Sequence, residues 1–158
     1  MTPRPAQTLS LKGRALRYLA AREHSRAELA TKLSRHVAPE DDPDAVARVL
    51  DELAAKGFID EARVAESVLH RRAGRLGGAR VLQELRAKGL PDEVVADAAA
   101  QLRSTELARA QAVWRRKFGQ PPADAAERAR QLRFLAARGF SGDVARRALG
   151  GAADDDDF

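Results

Sequence analysis

The basic side chains of this sequence have a residue type and a spacing that suit contact with a partner molecule. At an offset of about fifty residues the chain repeats itself, so that Arg80 falls on Arg130 and Lys88 falls on Arg138. The equivalent places further upstream carry no lysine or arginine. A merely solvated surface gives no reason for the same positions to be basic twice and not a third time. We therefore predict that these side chains bind phosphates or carboxylates of a partner.

The same cations also have a structural explanation. Lysine or arginine near the carboxyl end of a helix stabilises that helix through its dipole, which applies to Lys88 and Arg138 and to the run Arg115-Arg116-Lys117. In the upstream copy, Glu28 and His36 stand where the two later copies are basic. Both interpretations stay open for the helix-end cations.

Catalytic and metal-binding patterns are missing from the sequence. His24, His36 and His70 fall on different predicted helices and are too far apart to suggest a shared metal ion. No serine or threonine stands in a nucleophile elbow, no cluster of carboxylates or Cys/His pair suggests general acid-base chemistry, and there is no cysteine. We therefore expect a binding protein rather than an enzyme, with no catalytic residue, metal or cofactor.

Two further patterns have both a binding and a structural interpretation. The segment Gly74-Arg75-Leu76-Gly77-Gly78 beside Arg71 and Arg72 suits a phosphate cradle at a helix start, but it lacks the Lys-Ser/Thr of a P-loop and follows a helix. A plain helix-to-helix turn is favoured. The aromatic side chains suit either base stacking or core packing, and their helical spacing favours the core: Tyr18, Trp114, Phe118, Phe134 and Phe140.

The elements that must position these residues are helices. Apolar residues recur at helical spacing throughout, and we predict nine helices and no strand. Ser25 with Glu28 forms a capping box, and Pro43 is expected in the first turn of the third helix. A second cap signal, Asp124 with Glu127, opens a later helix, and Ser141 caps the last one.

Glycines mark the helix ends. Lys56-Gly57-Phe58, Lys88-Gly89-Leu90 and Arg138-Gly139 each place a glycine just past a last helical turn, where the left-handed conformation closes the turn. The repeat and these ends predict an all-α fold of three tandem three-helix units. Each unit has too few large apolar residues for a core of its own, so we expect an elongated, curved array. The predicted segments are a mobile tail 1–9, units 10–59, 60–103 and 104–150, and an acidic tail 151–158.

Composition and charge limit the kinds of protein that this chain could be. The formal net charge is +5, and the basic excess lies in residues 103–153. Without cysteine there is no disulfide framework, and no apolar run suits a signal peptide or a membrane span. We expect a cytoplasmic monomer that does not enter a membrane.

Three motifs together resemble one family. Residues 15–29 read Ala-Leu-x-x-Leu-Ala-x-Arg-x-x-Ser-x-x-Glu-Leu, and Gly57-Phe58-Ile59-Asp60 and Glu84-Leu85-Arg86-Ala87-Lys88-Gly89-Leu90 follow. In this order and spacing they resemble the RecX regulatory proteins over residues 11–150. The chain departs from the family pattern at Glu61 and Val64, where a second aspartate and an aromatic residue are usual, and in its acidic tail.

The resemblance implies a modulator of the RecA recombinase. Such a protein binds in the groove of the RecA-DNA filament, bridges subunits, and suppresses ATP hydrolysis, strand exchange and co-protease activity. Single- and double-stranded DNA are further expected partners. The residues expected to contact RecA or DNA match the family motif or follow by repeat equivalence: Arg71, Arg72, Arg80, Arg86, Lys88, Arg130, Arg133 and Arg138.

Two other functions fit part of the sequence. Residues 14–56 have the outline of a helix-turn-helix DNA-binding repressor, but the third helix begins Pro43-Asp44-Ala45 instead of with base-reading side chains. A passive scaffold would bind its partner without regard to DNA. The repressor is the principal alternative.

Overall fold

The computed structural model describes residues 9–150, and over that range the chain is helical with no strand. The all-α prediction is therefore confirmed. The predicted acidic tail and residues 1–8 of the predicted mobile tail lie outside the described residues. The eight helices are α1 (Leu11–Ala21), α2 (Arg26–Ser34), α3 (Ala45–Ala55), α4 (Glu61–Arg72), α5 (Gly78–Ala87), α6 (Asp92–Lys117), α7 (Ala125–Ala137) and α8 (Gly142–Gly150).

Eight helices replace the nine that we predicted. The third helix of the second unit and the first helix of the third unit are one continuous helix, α6, of 26 residues. No glycine or proline occurs within it. Ser104 and Thr105, the polar pair at its middle, donate back to the carbonyls of Gln101 and Leu102 instead of capping a new helix. The predicted unit boundary at 103/104 therefore lies inside a helix.

Side-chain caps form at the three helix starts where the sequence predicts them. The capping box is confirmed, since Glu28 N–H donates to Ser25 Oγ at 3.0 Å and Ser25 N–H donates to Glu28 Oε1 at 3.1 Å. Asp124 Oδ1 accepts from Glu127 N–H at 2.8 Å, and Ser141 Oγ accepts from the Val144 N–H. These caps satisfy amide groups that a helix start leaves unpaired.

The start of α3 differs from the prediction by two residues. Asp42 Oδ1 accepts a hydrogen bond from the Asp44 N–H at 2.9 Å, which forms a local turn across Pro43. The helix therefore begins at Ala45 instead of at the proline. No side chain caps this start.

Glycines end the helices as predicted. Gly57, Gly89 and Gly139 all have positive φ. After Gly57, the Phe58 N–H bonds to the Leu53 carbonyl, and after Gly139, the Phe140 N–H bonds to the Leu135 carbonyl. This is the six-to-one bond of a glycine-closed helix.

The chain divides into two compact units. Among the described residues, the first contains 9–64 together with Lys88–Leu90, and the second contains Ala65–Ala87 and 91–150. In the first unit, α1, α2 and α3 enclose a core of small and medium aliphatic side chains, which is formed by Ala15, Leu29, Leu33, Leu50, Leu53 and Ile59.

The second unit packs α7 and α8 against α6. Its core contains one aromatic ring among aliphatic side chains: Ala110, Val113, Leu135, Phe140, Ala145, Ala148 and Leu149. The buried Gln131 amide has partners on both sides, since it accepts from Trp114 Nε1 at 2.8 Å and donates to the Gln120 carbonyl. That second bond ties the loop after α6 to α7.

Candidate partner-binding surface

In the first unit, the turn that ends α5 packs on the start of α2. Ser25 Oγ donates to the Lys88 carbonyl, and Lys88 Nζ lies 3.5 Å from Glu28 Oε1. A side chain at Gly89 would bring its Cβ to 2.6 Å from Ala27 Cβ. Only 15% of the Lys88 side chain is exposed. Of the predicted site residues, Lys88 is thus the one most engaged in the fold.

Glu28 is the centre of this cluster. Its carboxylate accepts from Arg22 Nη2 at 2.7 Å, in addition to its bonds to the Ser25 N–H and its ion pair with Lys88. Burial by itself raises the pKa of Glu28, but the Arg22 and Ser25 hydrogen bonds and the two positive charges outweigh it and lower the pKa to about 2. Glu28 is therefore ionised at neutral pH and stabilises the start of α2.

His24 is buried beside this cluster. Its Nδ1–H donates to the Arg22 carbonyl at 3.1 Å, and its Nε2 accepts from Lys32 Nζ at 2.7 Å. Burial lowers the pKa of His24, and the charges of Arg22 and Lys32 lower it further. The ring also packs beside Tyr18. Between residues 9 and 150, no group of three His, Asp or Glu side chains is arranged to hold a metal ion.

The second unit contains the same type of junction. The turn that ends α7 packs on the start of α5: the Gly77 N–H donates to the Arg138 carbonyl at 2.7 Å and the Ala79 N–H donates to the Gly139 carbonyl. A Cβ at Gly77 would lie 2.2 Å from the Gly139 carbonyl carbon, and one at Gly139 would lie 2.5 Å from Arg80 Cγ. Glycine at these two positions permits the close approach.

The amide groups at the start of α5 are thus already paired. The third of them, the Gly78 N–H, donates to the carboxylate of Glu106 at 3.0 Å. Arg109 holds that carboxylate with Nη2 and binds the carbonyls of Ala73 and Leu76 at 3.0 and 2.7 Å. The glycine segment is therefore a helix-to-helix turn, and the phosphate-cradle interpretation is wrong.

Sequence reasoning missed Glu106 and Arg109. Both side chains are nearly buried, with 13% and 12% of each exposed, and they position the loop before α5. Their spacing of three residues on a predicted helix was the available signal. Such a spacing is also common on solvated helix faces, so it does not identify a buried pair by itself.

The structure brings some of the predicted site residues together. Arg80 lies against Gly139, the residue after Arg138, at the α5–α7 junction, while Arg130 and Arg133 lie exposed on α7. Arg71 and Arg72 end α4, and Arg86 lies in the last turn of α5. All seven of these arginines belong to the second unit, whereas Lys88 belongs to the first unit.

Most of these cations have no acidic partner among residues 9–150. Arg72 Nε lies 3.4 Å from Glu84, and Arg130 Nη1 lies 3.3 Å from Glu127. Within the described range, no carboxylate is at salt-bridge distance from the other arginines of the predicted set, which are Arg71, Arg80, Arg86, Arg133 and Arg138. Within residues 9–150 no ion pair neutralises their charge, which suits contact with an anionic partner.

A basic cleft adjoins this surface. Arg75, Arg116, Lys117 and Arg138 line a cavity of about 250 Å³ with Phe134 and Val113. Arg116 Nη2 donates to the Gly74 carbonyl at 2.8 Å, and no carboxylate of residues 9–150 pairs with any of the four cations. Sequence reasoning explained Arg116 and Lys117 as helix-end cations. What it could not find was their convergence with Arg75 and Arg138.

The exposed side of α3 is unlike a DNA-reading helix. Asp51 pairs with Arg26 at 2.6 Å, and Glu52 pairs with Lys12 and Lys56. Acidic side chains on an outward face repel the phosphate backbone, which a recognition helix must approach. The first unit therefore gives little support to the repressor alternative.

None of the helices in residues 9–150 has the length and hydropathy needed to cross a lipid bilayer.

Family models for three consecutive domains match the chain. They are described as the first, second and third three-helix domains of RecX, and they match residues 12–53, 60–98 and 104–149. The fold is thus three tandem three-helix repeats, as predicted. The second and third matches share the continuous helix α6.

Curated relatives cover nearly the whole chain. The regulatory protein RecX of Leptothrix cholodnii is 60% identical over 89% of this chain and 88% of its own length. That of Ralstonia nicotianae is 52% identical over 94% of this chain and 91% of its own. A crystal structure of RecX from Lactobacillus salivarius shares the fold with a TM-score of 0.75 at 19% identity, covering 88% of this chain and 92% of that one. The chain belongs to the RecX family of regulatory proteins.

Proposed function

We propose that this protein inhibits the RecA recombinase by binding in the groove of the RecA-DNA filament. Bound there, it suppresses ATP hydrolysis, strand exchange and co-protease activity. Membership of the RecX family supports the proposal, because these relatives are regulatory proteins. The structural observation that carries it is the set of arginines in the second unit that have no acidic partner among the described residues.

These arginines suit a nucleoprotein partner. A guanidinium binds carboxylates of a protein and phosphates of DNA equally well, with two parallel hydrogen bonds to either group. In the proposal, Arg71, Arg72, Arg80 and Arg86 contact the filament together with Arg130, Arg133 and Arg138. Lys88 takes part only if its ammonium leaves Glu28, because the pair is mostly buried.

The proposed action is binding without catalysis. The protein works in DNA repair, DNA recombination and the SOS response, in the cytoplasm, as a monomer. It needs no metal or cofactor, and it contacts RecA with single- or double-stranded DNA as an additional partner. The activity of the filament is suppressed because one bound molecule contacts neighbouring RecA subunits and holds them in one conformational state.

The test is RecA's DNA-dependent ATPase with increasing amounts of the purified protein. We expect the rate to fall in a saturable manner, and strand exchange to fall over the same range. Raising the salt concentration weakens contacts between exposed charges and reduces the gain from counterion release, so inhibition requires more protein at higher salt. An ATPase rate that stays constant at saturating protein contradicts the proposal.

A further inference from the structure

The basic cleft of the second unit draws its cations from three separate elements. Arg75 lies in the loop after α4, Arg116 and Lys117 end α6, and Arg138 follows α7. A cation at the end of a helix stabilises that helix. This effect does not explain why cations from different elements line the same cavity. Four positive charges without a carboxylate partner in the described chain repel one another. An anion in the cleft relieves that repulsion.

An aromatic ring lies among these charges. Arg138 Cζ is 4.9 Å and Lys117 Nζ is 5.4 Å from the centroid of the Phe134 ring. The ring is partly buried and meets Phe118 edge to face at 5.3 Å between centroids. An arginine held over an aromatic ring presents a flat surface, on which a nucleic-acid base stacks as it does on the ring itself.

We propose that this cleft binds single-stranded nucleic acid, with phosphates on Arg75, Arg116 and Lys117 and one base stacked at Phe134 and Arg138. Cations along the backbone and an aromatic platform for a base are the two parts that such sites combine. An acidic peptide would use the charges but would leave the apolar floor of Phe134 and Val113 uncovered. This site shares Arg138 with the proposed filament contact and rests on the proposed function for single-stranded DNA as a partner, and a test without RecA separates it from the inhibition.

The test is fluorescence polarisation of a labelled oligothymidylate in the absence of RecA. Thymidylate does not pair with itself, so the probe stays single-stranded. An abasic oligomer of the same length carries the same phosphates without bases and separates phosphate contacts from stacking. We expect the wild-type protein to bind thymidylate more tightly than the abasic probe.

Two variants separate the two parts of the site. Arg116→Gln with Lys117→Gln should weaken both probes by about tenfold or more, and the slope of log affinity against log salt should fall by about 0.7 for each phosphate that the variant no longer neutralises. Phe134→Leu keeps an apolar side chain and should weaken thymidylate by about fivefold or more while leaving the abasic probe unchanged. Phe134→Tyr should bind as the wild type does, because it retains the ring.

The matched control is Arg17→Gln with Arg103→Gln, which removes two exposed arginines that do not line the cleft. We expect this control to keep wild-type affinity for both probes. If the cleft variants bind thymidylate as tightly as the control does, the assignment of the binding site to this cleft is wrong. If those variants lose binding to polyglutamate and keep binding to thymidylate, the cleft is a site for an acidic peptide and the proposal is overturned. Since the Arg116 and Lys117 side chains are exposed, the double variant tests the site even if Phe134→Leu fails to fold.

Discussion

Individual residues in this chain divide between those that hold its junctions and those proposed to contact a partner. Lys88 and Arg138 are equivalent by the repeat, yet Lys88 pairs with Glu28 while Arg138 lines the basic cleft. The first copy carries Glu28 where Arg80 and Arg130 stand in the later copies, and Glu28 is used within the fold for capping and pairing. A repeat position thus has a different role in different copies.

The charge of Glu28 should make stability depend on acid pH. Because its pKa in the folded protein is about 2, below its ordinary 4.5, the carboxylate stabilises the fold above about pH 4.5 and this contribution is lost as pH falls toward 2. Glu28→Gln keeps a residue able to complete the capping box but removes the charge. We expect the variant to be less stable than the wild type at pH 7, and the difference to vanish near pH 2.

Urea unfolding of both proteins across that pH range measures the difference. A constant gap between the two midpoints at every pH would mean that the carboxylate charge contributes nothing. Glu28→Arg should lose stability for the same reason, while we expect inhibition of RecA by the folded fraction to remain.

A side chain at Gly89 or Gly139 should lower the stability of the fold for two reasons. Both have positive φ, and an added Cβ would lie 2.6 Å from Ala27 Cβ or 2.5 Å from Arg80 Cγ. We expect Gly89→Val and Gly139→Val each to lower the free energy of unfolding by about 1 kcal/mol or more. Gly74→Ala is the matched control, since nothing lies within 4 Å of its Cβ position. Chemical denaturation of the three variants measures these changes in stability. If Gly89→Val and Gly139→Val unfold at the same midpoint as Gly74→Ala, the junctions tolerate the added atoms.

The helices show which features local sequence determines. Caps at Ser25 and Asp124 and closing turns at Gly57, Gly89 and Gly139 follow from groups within a few residues of each other, and these predictions were confirmed. The predicted start of α3 was wrong because the turn at Asp42 moves the first residue of the helix from Pro43 to Ala45.

Features that depend on distant residues could not be predicted. The pairing of the Gly77 N–H with the Arg138 carbonyl joins residues far apart in sequence, and nothing near either one indicates it. The convergence of Arg75 with Arg116 in the basic cleft is of the same kind. The sequence therefore predicts which residues are basic and which helices carry them, but the fold is needed to show which of them meet.

The continuity of α6 can be tested at its middle. Ser104→Pro removes a helix hydrogen bond and places the ring against the preceding turn, so we expect a loss of about 3 kcal/mol or more. If a helix began at residue 104 instead, proline there would occupy a first turn and be tolerated. Ser104→Ala is the control, and at this exposed position it should change stability by less than about 0.5 kcal/mol. Thermal unfolding followed by circular dichroism distinguishes the two cases.

Across the whole molecule, charge is distributed unevenly. In the first unit many cations are paired with acids, as at Arg26, Lys12 and Arg63, while in the second unit several arginines are not paired within the described chain. Exposed pairs contribute little to folding, so this difference has a small effect on stability. Its main effect is on which surface attracts an anionic partner, and this makes the second unit the proposed contact with the filament.

The measurement that tests this account most directly is RecA's DNA-dependent ATPase titrated with three proteins. They are the wild type, the double reversal Arg80→Glu with Arg130→Glu, and a control reversal Arg17→Glu with Arg103→Glu that makes the same change in charge at two exposed arginines outside the predicted set. Exposed charges contribute roughly 0 to 1 kcal/mol each to folding, so all three should unfold at similar temperatures.

We predict that the wild type and the control reversal suppress the ATPase alike and that the double reversal no longer does. If Arg80→Glu with Arg130→Glu inhibits RecA as well as the wild type does, the assignment of these repeated arginines to the contact is contradicted, and the Arg115-Arg116-Lys117 run or the first unit becomes the better candidate.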